Sequence, residues 1–482
     1  MSTPKPLLIG GEWIADSPEA IASVNPANGE VNYEVSAATA RHVDAAVEAA
    51  HQAAAGAAWR NLLPHQRARL LAKLADIVEA RGEELARTQM RENGKVLAEC
   101  RAQAGSAAGI FRYYAAVCET LESEVTPSRG SYLSMTVYEP YGVVAAITPW
   151  NSPLTMEAQK VAPALAAGNA VILKPSEVTP SAGLALGQAA LDAGIPPGIL
   201  NVLPGTGAVA GDALVRHPGV KFVSFTGGTA SGRRIAAAAA EKLMPVALEL
   251  GGKSPHIVFA DANLEAAAAA VADGIFEAGG QSCVAGSRLF VQRAAYDRVV
   301  TLVVERARAL KIDMPDAPGA QFGPLSSFAH RERVEGFVAS ARAAGGTIAT
   351  GGVRPDERKL GNGAFYTPTV ITGLSNAERV CQQEIFGPVL CVLQFDGEDD
   401  LVAQANDSVY GLAAGIWTGD YQRAWRVARA LEAGTVWINT YKQLSIATPF
   451  GGFKDSGVGR EKGIGGLRLY QQAKGLYWGL LS

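Results

Sequence analysis

The chain is poor in the features that would give it away quickly. Among its 482 residues only five are cysteine and six are histidine, and aromatic residues make up 7%. Cys100, Cys118, Cys283, Cys381 and Cys391 are odd in number, and no two stand two to four residues apart. That argues against a disulfide framework or a zinc site, and no metal is expected. There is no excess of either charge. Lys and Arg total 43 against 46 Asp and Glu, a net −3, so nothing in the balance would neutralise a phosphate backbone, and nucleic acid is not an expected partner. Long apolar runs are absent too. The uncharged stretch from Pro140 to Met156 is interrupted by Pro, Thr, Asn and Ser, and falls short of the about 20 apolar residues of a membrane span. The opening MSTPKPLLIGGEW has too short an apolar run for a signal peptide, so a cytoplasmic protein is expected.

What is abundant is glycine, 53 residues, well above the average usage of about 7%. With 48% hydrophobic residues, this describes an ordered chain with many tight turns and close backbone approaches. From about Tyr141 short apolar runs alternate with helical segments. YGVVAAITP, NAVILKPS, ILNVLPG and VKFVSFTGG read as strands. The segments Leu154 to Ala167, Ser181 to Gly194, Ala208 to Arg216 and Ala230 to Lys242 read as helices. These are βαβ units of a parallel, doubly wound sheet, whose ligand lies beyond the carboxyl ends of the strands. A second alternating series runs from HIVFADA through RLFVQ and FYTPTVI to AGTVWIN. The first 120 residues read as mostly helical, with helical periodicity over Thr39 to Ala55 and Arg67 to Arg91. Ser131 to Tyr138 and Leu467 to Trp478 alternate like strands from opposite ends of the chain, and two such segments can pair into a small exposed sheet suited to an oligomer contact.

The residues that could carry chemistry sit in the loops of this pattern. Cys283 lies in GGQSCVAGS, a glycine-flanked loop that lets a ligand approach and a thiol be reached; a buried loop cysteine would read the same way. Glu249, in LELGGKSP, ends an apolar strand, and burial there would raise a carboxyl toward the pKa of a general base, unless it forms a structural ion pair. Asn151, in PWNSP, follows a strand and could donate to an oxyanion or close an Asx turn. LKPSE places Lys174 and Glu177 at another strand end. In FTGGTASG, Gly227, Gly228 and Gly232 suit a phosphate approaching a helix N-terminus, although the G-x-G-x-x-G fingerprint is not there. Gly205 to Gly211 reads as a turn and helix start, and Glu384, in QEIFGPV, as a loop carboxylate.

Taken together and in order, PWNSP, LKPSE, FTGGTASG, LELGGKSP, GGQSCVAGSR, QEIFGPV and PFGGFKDSG resemble the NAD(P)-dependent aldehyde dehydrogenase superfamily, of the hydrolytic, non-CoA-acylating type, over essentially the whole chain. The resemblance implies an α/β fold with a Rossmann-like cofactor domain (residues 1–120 and 141–250), an α/β catalytic domain (251–445) and a small oligomerisation β-sheet (121–140 and 446–482). It implies Cys283 as nucleophile, Asn151 and the Cys283 N–H as oxyanion donors, and Glu249 as the base that hydrolyses a thioester. Lys160 and Glu461 match a proton relay to that base. For the cofactor it implies Ile147, Thr148, Pro149, Trp150, Lys174, Ser176, Glu177, Gly207, Phe225, Thr226, Gly227, Gly228, Thr229, Gly232, Leu250, Gly251, Glu384 and Phe386. NAD is preferred over NADP, since Glu177 accepts from a ribose hydroxyl and repels a 2′-phosphate, although Lys174 would attract one.

For the substrate the resemblance implies Ser152, Thr155, Met156, Gln159, Glu277, Ser282, Val284 and Phe450. Polar Ser152 and Gln159 stand where aromatic residues are frequent, so the cage that holds a quaternary ammonium by cation–π attraction is missing. A polar aldehyde or semialdehyde is expected, with amino-aldehydes open through Glu277. Gly279 departs from a frequent asparagine. A homo-oligomer, dimer or tetramer, is expected. The competing classes are a cysteine-dependent thiol acyltransferase or hydrolase, which would need a histidine partner, the nearest being His256, and a binding protein that has kept the fold.

Overall fold

A computed structural model describes residues 3–480. Its first sheet has eight strands, in the order Glu12–Ile14, Leu7–Ile9, Leu200–Val202, Ala170–Lys174, Val143–Ile147, Phe222–Thr226, Val246–Glu249 and Gly457–Val458. The central five are parallel, and the chain runs outward from Val143–Ile147 in one direction and then in the other. All residues of Val143–Ile147 and Ala170–Lys174 are buried, as expected when helices cover both faces of a parallel sheet. Each fully buried Val, Ile or Leu contributes about 1.5–3 kcal/mol. The order reverses between Val143–Ile147 and Phe222–Thr226, so a crevice opens where Thr148 to Asn151 and Gly227–Gly228 leave neighbouring strand ends.

The second sheet has seven strands, ordered Thr347–Thr350, Thr369–Thr372, Val389–Phe395, Arg288–Gln292, Pro255–Val258, Ala413–Trp417 and Thr435–Ile438, parallel except at the first. A third, antiparallel sheet joins Gln471–Gly479, Tyr132–Pro140 and Glu124–Thr126.

Three differences from the sequence expectation stand out. The N-terminal region holds four strands, Leu7–Ile9, Glu12–Ile14, Ala20–Val24 and Val31–Ser36, ahead of its helices; they are edge or hairpin strands too short for a clear period. The helical stretch Arg67 to Arg91 is two helices, Pro64–Ala80 and Gly82–Asn93, broken at Arg81. Of the segment 446–482, grouped by sequence with the oligomerisation sheet, only Gln471–Gly479 joins that sheet. Gly457–Val458 instead edges the first sheet beside Val246–Glu249, and Gly463–Arg468 packs on the helix Pro153–Ala166. Among the described residues no helix is long and apolar enough to cross a membrane, and no group of three or more His, Cys, Asp or Glu could hold a metal ion.

Candidate active site

Cys283 lies in the loop before the strand Arg288–Gln292 and is the one cysteine that is not buried. Ala278, Gly279 and Gly280 all adopt positive φ just ahead of it. At Gly279 φ is +63°, a conformation open to glycine or asparagine, so glycine here keeps the turn that asparagine would also make. Gly280 admits no substitute. A Cβ there would stand 2.2 Å from the carbonyl oxygen of Gly387, so the cysteine loop lies directly on the loop that carries Glu384. Gly252 is equally constrained, because a Cβ there would stand 2.4 Å from the Cys283 carbonyl oxygen. Glycines thus bring three loops together at the nucleophile.

Asn151 reaches the same loop. Its Nδ2 donates to the Gln281 carbonyl at 2.9 Å, and an amide has a second N–H to offer. Gln281 is itself fixed, donating to the Ala278 carbonyl at 3.0 Å and accepting from the Ser326 N–H at 2.8 Å.

Glu249 ends its strand buried, and neither carboxylate oxygen has a hydrogen-bond partner. Burial holds it well above the usual carboxylate range; the Glu461 charge pushes the same way, while Lys160, Arg460 and Lys462 oppose. Room for its carboxyl comes from Gly451, where a Cβ would stand 2.7 Å from Oε1. Burial likewise pushes the Cys283 thiol up to about 12, helped by Glu384 and Glu249 and opposed by Lys462.

Behind Glu249, Lys160 and Glu461 form a buried ion pair at 2.5 Å. Ser224 ties it to the sheet, accepting from Lys160 at 2.9 Å and donating to Glu461 at 3.2 Å. The helix Pro153–Ala166 supplies the lysine, and Phe450 and Glu461 exchange backbone hydrogen bonds of 2.8 and 2.7 Å that fix the glutamate.

On the crevice side, Thr148 and Thr226 each bury a hydroxyl with no partner, and a Cβ on Gly228, the residue that opens the helix Thr229–Ala240, would meet nothing within 4 Å. Orphaned hydroxyls and an open helix N-terminus at a topological switch point form a cradle for a diphosphate. Gly227 and Gly232 act differently from expectation. Their missing Cβ atoms make way for the Phe225 ring at 2.5 Å and for Leu250 Cδ2 at 2.4 Å, so both serve close packing. Leu250 is buried by that contact, and the Gly251 N–H points to Thr229 Oγ1 at 3.3 Å. Lys174 is buried 3.6 Å from the half-exposed Glu177, and Ile147 and Phe225 complete the floor of strand ends. Two further expected cofactor contacts lie in local turns. Ser176 Oγ accepts from the Val178 N–H at 3.3 Å, and Gly207 opens an exposed π-helical turn.

Glu384 Oε1 accepts from the Gly252 N–H at 3.0 Å, and burial raises its carboxyl to about 6. Phe386, at φ +60°, meets Trp150 edge-on at 5.3 Å, and Trp150 meets His330 at 5.3 Å. This aromatic group fastens Pro149 and Trp150 to the Glu384 loop.

The family model for the aldehyde dehydrogenase family matches residues 13–476. The chain belongs to the aldehyde dehydrogenase family. Its fold is that of solved family members. A point mutant of betaine aldehyde dehydrogenase from Staphylococcus aureus, in complex with NAD+ and carrying a BME-modified cysteine, superimposes at TM-score 0.97 with 37% identity, covering 99% of this chain and 96% of that one. The NAD+ complex of aldehyde dehydrogenase from Bacillus cereus gives 0.96 with 39% identity, over 99% and 97% of the two chains. PnpE from Pseudomonas sp. WBC-3 gives 0.96 with 39% identity, over 99% and 98%.

The residues expected on the substrate side depart further from expectation. Gln159 does not line a tunnel. It is buried and donates to Glu461 Oε2, because an amide in the interior turns to the buried acceptor within reach. Glu277 is not a free anion either, since Lys442 pairs with it at 3.2 Å. Ser152 Oγ is held by Lys95 Nζ at 3.3 Å and Gln103 Nε2 at 3.0 Å, and Thr155 Oγ1 donates to the Gln103 carbonyl at 3.2 Å. Met156 and Ser282 are half-buried. Val284 is buried, accepts from the Tyr441 hydroxyl at 3.0 Å, and packs with Phe450, Trp437 and Cys283 in one apolar cluster.

Lys95, Gln103, Lys442 and Lys462 were not singled out from sequence. Lys462 is the most telling of them. It is 8% exposed, holds φ +63° and ψ 170°, and sets its ammonium 4.9 Å from the centre of the Phe450 ring. Such a conformation is nearly restricted to glycine and costs about 1–3 kcal/mol. The one signal in the sequence was its place directly after Glu461.

Proposed function

We propose that the chain oxidises an aldehyde to its carboxylic acid with NAD as the oxidant, through a covalent intermediate on Cys283. The observation that carries this is a half-buried cysteine in a glycine-packed loop that an amide donor reaches, with a buried carboxylate without partners close enough to act on the thiol's charge. Cys283, once deprotonated, attacks the aldehyde carbon. Asn151 and the Cys283 N–H hold the oxyanion. The chemistry a bound NAD supplies is hydride acceptance, the oxidation that separates a Cys283 thiohemiacetal from a Cys283 thioester. Glu249 then takes a proton from water, which hydrolyses the thioester and frees the acid. Lys160 and Glu461 act through Glu249, setting the charge around it.

The residues that would hold NAD fit it. The unpartnered hydroxyls of Thr148 and Thr226 and the open helix end at Gly228 would face the pyrophosphate, Lys174 and Glu177 the adenosine ribose, and Glu384 the nicotinamide ribose. Glu177 favours NAD over NADP by charge, with NADP accepted more weakly. The substrate is a polar aldehyde, since Ser152, Gln159 and Glu277 leave no aromatic cage, and Ser152 and Thr155 are held in polar contacts with Lys95 and Gln103. The protein is a cytoplasmic homo-oligomer, joined through the third sheet, on which Tyr477 and Trp478 are 74% and 73% exposed.

A hydrolase or acyltransferase reading is disfavoured by the state of His256. Its Nε2 accepts from the Trp417 indole at 3.1 Å, its ring stacks on Tyr441 at 4.3 Å, and burial lowers its pKa to about 3. It is built as support and cannot serve as a base near neutrality. A binding-only protein would have no use for a base buried without partners.

The test is NADH absorbance with a panel of polar aldehydes, hexanal, benzaldehyde and betaine aldehyde. Wild type should produce NADH, with its highest kcat/KM on a polar aldehyde, and Cys283→Ala should produce none while still binding NAD. Turnover by Cys283→Ala would remove the nucleophile. Betaine aldehyde or a long alkanal as best substrate would overturn the polar assignment.

A further inference from the structure

Resting on the aldehyde-oxidation reading, we propose that Lys462 is an anion anchor, so that the aldehyde this chain oxidises carries a carboxylate held by the Lys462 ammonium beside the Phe450 ring. The backbone aims it there. Phe450 and Glu461 exchange two hydrogen bonds, so Glu461 turns inward to Lys160 and the next residue must emerge on the opposite side. The positive φ of Lys462, followed by Gly463 at φ +60° with its N–H on the Ile446 carbonyl at 2.7 Å, holds that direction. The ammonium therefore stands over Phe450, whose ring belongs to the cluster that Cys283 packs against.

Its charge is left over. Among the described residues Lys462 Nζ has no hydrogen bond and no ion pair, although the side chain is nearly buried. The nearby carboxylates are otherwise engaged: Glu461 is paired with Lys160 and Glu277 with Lys442, while burial holds Glu249 well above the usual carboxylate range. An ammonium at the end of a nearly buried side chain, with no hydrogen bond or ion pair among the described residues and set beside an aromatic ring that packs near Cys283, is a site for an anion brought by the substrate. Lys462 also lies within Coulombic range of the Cys283 sulfur, so the alternative is a role confined to the thiolate.

The test separates the two. Aldehydic acids from glyoxylate to 5-oxopentanoate are compared with alkanals of like length, with NAD saturating. The best acid should exceed the best alkanal in kcat/KM by at least about tenfold, the size of one charge-assisted hydrogen bond. Lys462→Met should shrink that ratio by a similar factor, mainly through KM for the acid, and Lys462→Arg should restore most of it. In wild type, added salt should raise KM for the acid more than for the alkanal. That measurement stands even if the variants fail to fold. Equal loss on acids and alkanals in Lys462→Met would make the lysine a partner of the cysteine alone and overturn the anchor. So would a wild type that prefers alkanals, or one with no salt effect on KM. Absence of NADH with every aldehyde would instead overturn the activity itself.

Discussion

The two groups of residues around the Cys283 loop are built from different materials. The cofactor side is made of backbone: strand ends, the loop glycines Gly251, Gly252 and Gly280, and a helix start at Gly228, all set by the switch point of one sheet. The opposite side is made of side chains from distant segments: Lys95 and Gln103 from the N-terminal helical region, Ser152 and Thr155, the Glu277–Lys442 pair, and Phe450 with Lys462. At Gly252 and Gly280 a wall of backbone tolerates little, because a single added carbon would collide with another main chain. A wall of side chains can be re-made residue by residue, and so it is the side on which one fold can be fitted to different aldehydes.

Substitutions should expose this contrast. The largest effect is expected at Gly252. Its Cβ in Gly252→Ala would meet the Cys283 carbonyl at 2.4 Å and displace the nucleophile, and a shift of roughly 1 Å in such geometry costs about 100-fold in kcat/KM. Loss of turnover with NAD binding kept, by titration, would support the backbone account; an active Gly252→Ala would break it.

Lys160→Met comes next. It strands the Glu461 carboxylate in the interior, which should cost about 3–5 kcal/mol in denaturant unfolding. It also acts on pH dependence, with a definite sign. Glu249 is a base only when ionised, and burial and Glu461 already raise its pKa, so wild-type activity should rise with pH at values above the usual carboxylate range. Removing Lys160, which opposes that shift, should move the rising limb to higher pH. An unshifted limb would mean that the pair is structural only. The smallest of these effects, on KM ratios alone, is expected for Lys462→Met on the side-chain wall.

The same contrast explains what could be seen in the sequence. Glycine motifs fall where backbones touch, so the loops of Cys283, Glu249 and Glu384 are legible in sequence, and the structure packs the Cys283 loop against Gly252 and the Glu384 loop, with Asn151 bonded to Gln281. Gly227 and Gly232 show the limit of that signal: they look like phosphate glycines and instead accommodate Phe225 and Leu250. Side-chain pairings left no motif. Gln159 turned to Glu461 and Glu277 to Lys442 because partners hundreds of residues apart in the chain came within reach only on folding. Lys462 was hidden for a further reason, since its conformation is one that lysine rarely adopts. The N-terminal strands of three to six residues escaped notice because their pairing, not their pattern, defines them.

The account rests on Cys283 forming a thioester that Glu249 hydrolyses. The most direct test is pre-steady-state NADH formation by Glu249→Gln, with the mass of the protein read after the burst. One equivalent of NADH per site, followed by a stall with an acyl adduct on Cys283, is the predicted result; unchanged steady turnover with no adduct would contradict it.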